Sequence, residues 1–207
     1  MKRILLFAVS LLFAVSNQQF ANAATVSAWT LDPVDNFRNA SWSFGQKFTV
    51  GSQNIAVTSL GAFDANGDGF VSNGGIPVGI FRESDGALLA STTVTSGDTL
   101  DGHFRFADIS ELMLMANTEY RVVAVNLDDL YNIATSNWTV DPAITLGDYG
   151  YCNTSTLTRC DGFTGSDYIW MANFKFGERD VQVSEPASLA LLGFGLLGLG
   201  LIRRKRD

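Results

Sequence analysis

Asp64-Ala65-Asn66-Gly67-Asp68-Gly69 is the stretch of this 207-residue chain best suited to chemistry. Oxygen-bearing side chains at alternate positions, closed by glycine at the sixth, open a twelve-residue calcium loop. A hard cation needs several carboxylate or carbonyl oxygens, and the glycine permits the sharp turn. Phe70 offers a main-chain carbonyl at the seventh place and Ser72 a ligand at the ninth. The twelfth place calls for a bidentate Glu but holds Gly75, so a remote carboxylate has to complete the shell. Calcium held by Asp64, Asn66, Asp68 and Phe70 is one expectation. The other is a plain Asx/Gly turn between two strands.

Catalytic groups are sparse. The single histidine, His103, lies beside Asp101 in an alternating strand phrase. A triad with Asp101 or Asp108 needs a nucleophile, and no Gly-x-Ser-x-Gly elbow is present. Asp128-Asp129 offers two carboxylates, but neighbours on a strand end point to opposite faces, which suits glycoside hydrolysis poorly. There is no phosphate-cradling loop and no zinc-ligand spacing. No catalytic residue is assigned. Trp29, Trp42, Trp138 and Trp170, with Tyr131, Tyr149, Tyr151 and Tyr168, are many large rings for a small chain. Most are expected in the core. Those around Tyr149-Gly150-Tyr151, read as a loop, are candidates to stack on sugars.

The elements that position these groups read as β. Phe44–Val50, Ile55–Leu60, Val78–Phe81, Leu88–Val94, His103–Phe106, Tyr120–Leu127 and Tyr168–Phe176 are strand-like runs. Gly, Asn, Asp and Ser punctuate them, and Asp85-Gly86 marks a hairpin turn. The spacing allows one short helix, over Ile109–Met115. Leu114-Met115-Ala116-Asn117-Thr118-Glu119-Tyr120 resembles a Leu-x-Ala-Gly-Thr-x-Tyr step of secreted β-sandwich modules, with Asn117 in the glycine place, where asparagine tolerates positive φ. The resemblance implies that the turn feeds a core strand from Tyr120. The fold class expected is all-β, a single sandwich or jelly roll over residues 24–182.

Both ends read as membrane-directed segments. Lys2-Arg3, the apolar run Ile4–Val15 and Ala21-Asn22-Ala23 form a signal peptide over residues 1–23, cut before Ala24. Residues 183–207 hold Ser184-Glu185-Pro186, an uncharged span at 187–202 and the basic stop Arg203-Arg204-Lys205-Arg206. As a helix, that span rises about 24 Å against a hydrocarbon core of about 30 Å, and it inserts by thinning the bilayer or snorkelling its flanks. The four basic residues favour a cytoplasmic C-terminus. An exported chain with two cysteines pairs them, here Cys152 with Cys160.

The tail resembles the PEP-CTERM sorting signal of Gram-negative bacteria, which the membrane protease-transpeptidase exosortase recognises. The family opens on Val-Pro-Glu-Pro; this chain has Val183-Ser184-Glu185-Pro186, with serine for the first proline. The resemblance implies that Glu185-Pro186 is a substrate site for exosortase. It also implies passage through the secretion translocon, anchoring in the inner membrane, then a surface or matrix location. Leu60-Gly61-Ala62-Phe63-Asp64 through Gly67-Asp68-Gly69, followed by Val78-Gly79-Ile80-Phe81, resembles an uncharacterised exported domain of PEP-CTERM proteins over roughly residues 43–94.

Charge narrows the partners. Residues 24–184 hold 8 Lys and Arg against 19 Asp and Glu, a net −11 where the whole chain is −7. Nucleic acid wants a basic footprint and is not expected as a partner. The expected function is a non-catalytic exported surface or matrix protein, a structural or adhesive sandwich associated with polysaccharide. The alternative is a secreted hydrolase of glycans or esters.

Overall fold

The computed structural model describes residues 25–32, 35–134, 137–160, 162–163 and 168–178. The signal-peptide residues Ala21, Ala23 and Ala24 lie outside these, as do Ser184, Glu185, Pro186 and Arg203–Arg206 of the tail. Among the described residues no helix is long and apolar enough to cross a membrane.

Every described element is a strand. In chain order they are β1 (Val26–Ser27), β2 (Trp29–Leu31), β3 (Asp35–Phe37), β4 (Trp42–Val50), β5 (Ile55–Phe63), β6 (Ile76–Arg82), β7 (Leu88–Val94) and β8 (Thr99–Asp101). Then follow β9 (Phe104–Leu114), β10 (Glu119–Val125), β11 (Tyr131–Ala134), β12 (Trp138–Val140), β13 (Ile144–Asn153), β14 (Gly162–Phe163), β15 (Tyr168–Trp170) and β16 (Ala172–Glu178). One sheet runs β1-β16-β5-β9-β8, and a second runs β14-β13-β4-β10-β6-β7. A three-stranded sheet, β15-β11-β3, and a pair, β12-β2, complete the all-β architecture.

Alternation buries one face of each large sheet against the other. Phe44, Phe48 and Val50 of β4 and Tyr120, Val122 and Ala124 of β10 enter a common core with Ile55, Val57, Leu60, Phe174 and Phe176. Phe48 meets Phe174 across the two sheets with ring centroids 4.7 Å apart. Each such buried ring contributes about 1.5–3 kcal/mol, and Phe48→Ala would cost about 3–5 kcal/mol by leaving a cavity.

The short helix expected over Ile109–Met115 is instead the second half of β9. Between the pairs Val57↔Leu112 and Ser59↔Asp108 the register shifts, so β9 carries extra residues opposite β5. The bulge changes the phase of the strand. Ile109 and Leu112, three apart, therefore both pack against the core and imitate a helical spacing. Tyr149-Gly150-Tyr151, read as loop, belongs to β13, whose register shifts between Leu146 and Tyr149. The Asp85-Gly86 hairpin between β6 and β7 forms as read, with Gly86 at φ 70° and its amide donating to Arg82 O.

Pairing gives the body two distinct ends. Ile55 pairs with Glu178 and with Leu114, Val50 with Ile144, Thr49 with Glu119, and Tyr120 with Arg82. The turns at 51–54, 83–87, 115–118 and 141–143 thus cluster where β16 stops. At the other end Trp42 pairs with Asn153, Ser43 with Val125 and Phe63 with Phe104. The segment 64–75 lies there.

Candidate functional site

The 64–75 loop is held by buried acids. Asp64, 3% exposed, accepts hydrogen bonds from the amides of Gly67 and Gly69, both at 3.0 Å. Both glycines have positive φ, 71° and 97°, which a side chain resists. Arg105 Nε donates to Asp64 Oδ2 at 2.6 Å, and Arg105 Nη2 donates to Gly67 O at 2.9 Å. The guanidinium thus sits in the loop as its cation. Asp129, also buried, accepts from the amides of Val71 and Ser72 at 2.6 and 3.1 Å. Asn66 and Asp68 are exposed, and the Phe70 amide donates to Ser96 Oγ.

These contacts test the calcium expectation. Asp64 already has two amides and an ion pair. A divalent ion beside it would face Arg105 at close range, a like-charge arrangement that costs several kcal/mol at low effective dielectric. Among the described residues no three Asp, Glu, His or Cys side chains converge to hold a metal. The residues present fit calcium poorly. They fit the Asx/Gly turn, with Arg105 added.

The hydrolytic candidates are dispersed. His103 Nδ1 lies 3.2 Å from Ala65 O. Asp101 pairs with Lys175 at 2.8 Å, and Asp108 accepts from Ser59 Oγ at 2.9 Å. Asp128 is exposed while Asp129 is buried, as opposite faces require. A cleft of about 180 Å³ lies between the two acid-held segments, lined by Arg38, Phe63, Asp64, Phe70 and Asp129 among others. Its two buried carboxylates are already spent on backbone amides.

Aromatic rings converge at the same end of the body, on the β13 side. Trp42 lies edge-on to Tyr151 at 5.6 Å and beside Phe44 at 6.4 Å. Tyr151 stacks on Tyr149 at 6.2 Å, Tyr149 adjoins Tyr168 at 6.5 Å, and Tyr168 meets Trp138 at 5.1 Å. Phe37 stacks on Tyr131 at 6.1 Å. Tyr151 and Phe37 are 40% and 42% exposed, and Trp42, Trp138 and Tyr168 are half-buried. Trp29 and Trp170 are fully in the core, so the four tryptophans divide evenly between core and partial exposure.

Asn39 fixes part of this row. Its Oδ1 accepts from Trp42 Nε1 at 3.0 Å and from Tyr131 Oη at 2.8 Å. Burial pushes the Tyr131 hydroxyl pKa up, and the Asn39 bond offsets part of that. The sequence reading missed Asn39 and Phe37. The Asn39-Ala40-Ser41-Trp42 phrase carries no signal beyond its turn residues.

The outer face of the six-stranded sheet is covered at the disulfide. Cys152 and Cys160 are bonded, with Cα atoms 5.8 Å apart. The segment between them returns across the sheet: Ser43 Oγ donates to Thr158 O at 2.7 Å, and Arg159 pairs with Glu83 at 3.2 Å. Beneath it Arg121 is 1% exposed, yet bonds Glu83 through Nε at 2.6 Å. Gly45 makes room for it, since a Cβ there would lie 2.7 Å from Arg121 Cδ. Nearby Lys47 pairs with Asp148 at 2.9 Å. Nothing in the linear sequence joins these five charges, whose pairs are 38, 76 and 101 residues apart.

The body is therefore an all-β module of antiparallel sheets with an aromatic end. Over residues 182–206 the chain matches the PEP-CTERM protein-sorting motif. That motif marks an extracellular protein sorted by exosortase, exported with anchored transit through the membrane and then delivered to the surface. No curated protein matches the chain.

Proposed function

We propose that the body is a non-catalytic, polysaccharide-binding module of the envelope or extracellular matrix, structural or adhesive in role. The carrying observation is the row Trp42–Tyr151–Tyr149–Tyr168–Trp138, whose neighbouring centroids are 5.1–6.5 Å apart and three of whose rings are half-buried. Flat rings with one face packed and one face wet suit the apolar faces of sugars, and partly exposed aromatic patches mark interaction surfaces. The net −11 of residues 24–184 favours a neutral glycan over an anionic one. Against hydrolysis stand the carboxylates already bonded to amides, arginine or lysine.

Affinity electrophoresis through gels containing neutral polysaccharides tests the reading. The protein is expected to be retarded and to release no reducing sugar. Tyr151→Ala, at an exposed ring, is expected to abolish retardation while leaving the melting temperature unchanged. Equal mobility with and without every glycan tried, or sugar release that His103→Ala removes, would sink the proposal.

A further inference from the structure

The tail leaves the body from one end, and the aromatic row occupies the other. β16 stops at Glu178, opposite Ile55, beside the turns at 51–54 and 115–118. β1 begins beside the same strand, with Val26 opposite Phe176. Eight residues, 179–186, separate β16 from the apolar span that starts at Ala187. Fully extended they reach at most about 29 Å. The nine residues of β4, which run from the aromatic end to the tail end, are themselves about 30 Å long. To press the aromatic end on the bilayer, the tether would have to run straight along the whole body with no slack.

The tail end also carries the apolar groups such a contact requires. Met113 and Met115 are 37% and 53% exposed at the end of β9, and Leu88 is 49% exposed just after the turn at 83–87. Resting on the reading of residues 182–206 as a membrane-inserting sorting tail, we infer that the anchored body stands on the membrane through this end. Met113, Met115 and Leu88 touch the lipid surface, and Trp42, Tyr151 and Phe37 face outward. Methionine suits the role, being flexible, polarisable and tolerant of an irregular apolar surface. The charges at this end are mixed: Lys47 and Arg82 lie near Glu119 and Asp85. Lys47 is also paired with Asp148, so the basic groups at this end are matched by acids and offer anionic headgroups no attraction; the contact rests on its apolar groups. An anchored protein then presents its glycan-binding end to the matrix before its tail is cut.

Photocrosslinking of the full exported chain tests this. The chain is reconstituted in vesicles of phosphatidylethanolamine and phosphatidylglycerol, doped with a phospholipid bearing a photoreactive group near its headgroup. Crosslinked peptides are then mapped by mass spectrometry. Lipid adducts are expected in the tail and, within the body, at 111–118 and around Leu88, with none at 64–75 or Tyr151. Met115→Asp is expected to remove most of the 111–118 adducts and to keep those of the tail. Body adducts at 64–75 or Tyr151, or tail adducts with none in the body, would overturn the orientation. Loss of adducts from the tail as well would show that the anchoring premise itself has failed.

Discussion

Arg105 Nε lies 2.6 Å from Asp64 Oδ2, inside a loop whose sequence anticipates a metal. The two side chains are 12% and 1% exposed, so the pair is screened little. Asp64 gathers the amides of Gly67 and Gly69, and Arg105 neutralises the resulting buried carboxylate. Replacing Arg105 by Met would keep the packing of its stem and strand the carboxylate. A loss of about 3 kcal/mol is expected, the low end for breaking a buried pair because the two amide bonds remain. A shift of the urea midpoint at constant m-value measures it. A midpoint within experimental scatter of the parent would remove Arg105 from this role.

Calcium is expected to leave the protein unmoved. Binding to the folded form alone would stabilise by about 2.7 kcal/mol at a hundredfold excess over Kd. With the guanidinium bonded to Asp64 Oδ2 and Gly67 O, that gain is not available. Melting curves in millimolar calcium and in chelator should coincide. They should still coincide in Asp68→Ala, whose side chain is exposed. A calcium-dependent rise would restore the metal reading.

How much of this was legible depended on where the phase of a strand was interrupted. Leu88–Val94 reads with its bounds because Asp85-Gly86 supplies a hairpin turn, and the register shift between Ile80 and Phe81 displaces only Leu89, next to that turn, leaving Ala90–Val94 in phase. Asn117 stands in the glycine place of the step its phrase resembles, and its φ of 55° is the conformation its side chain tolerates. β13 was missed because Gly147-Asp148 reads as turn punctuation, whereas the strand absorbs it as an irregularity between Leu146 and Tyr149. The second half of β9 was misread for the same reason, a bulge that places Ile109 and Leu112 three apart. In the site, local chemistry was visible and distant chemistry was not. Asp64 and its glycines are neighbours in sequence, but Arg105 is 41 residues away and looks like any alternating strand residue. Trp42 and Tyr151 stand together in the sequence reading only as members of one set of large rings. Their pairing follows from the β4–β13 register, which no composition reveals.

Acid should selectively weaken the Lys47–Asp148 contact. Burial raises the Asp148 carboxyl, but the hydrogen bond and charge of Lys47 and the charge of Arg121 outweigh it, so its pKa lies below the ordinary 3.8. A carboxylate with a depressed folded pKa stabilises above its unfolded pKa, and that contribution fades as pH falls through the folded value. The Lys47 ammonium is held above the ordinary 10.5, chiefly by its hydrogen bond to Asp148, so its contribution is complete below that pH and is lost as pH rises past the folded value. Asp148→Asn should therefore be less stable than the parent at neutral pH. The gap should close below about pH 3.8. Urea midpoints across that range decide it, and a gap independent of pH would assign the effect to packing.

The disulfide should stabilise a lid over buried charge. Closing the Cys152–Cys160 loop is worth about 2–3 kcal/mol in the chain-entropy model. Opening it frees the segment that carries Arg159 to Glu83 and covers Arg121. Cys152→Ser with Cys160→Ser is expected to lower stability by that amount and to speed amide exchange at Gly45 and Val123, the strand positions beneath. Unchanged exchange there would mean that Arg121 is shielded by the sheet alone.

The tail makes the last prediction, and it separates sorting from folding. Residues 182–206 match the sorting motif although Ser184 stands where the family has proline. Proline fixes its own φ and restricts the residue before it, which lowers the conformational entropy a substrate segment loses when a protease binds it. Ser184→Pro should therefore raise the fraction of processed chain in cells that carry exosortase, and Glu185→Ala should lower it. Mass spectrometry of the exported protein reads both, as the ratio of chains ending near Pro186 to chains that retain 187–207. Neither change touches a described strand, so the melting temperature of the body should not move in either variant. Equal processing in all three proteins would mean that the apolar span and its basic stop, rather than the Glu-Pro pair, carry recognition.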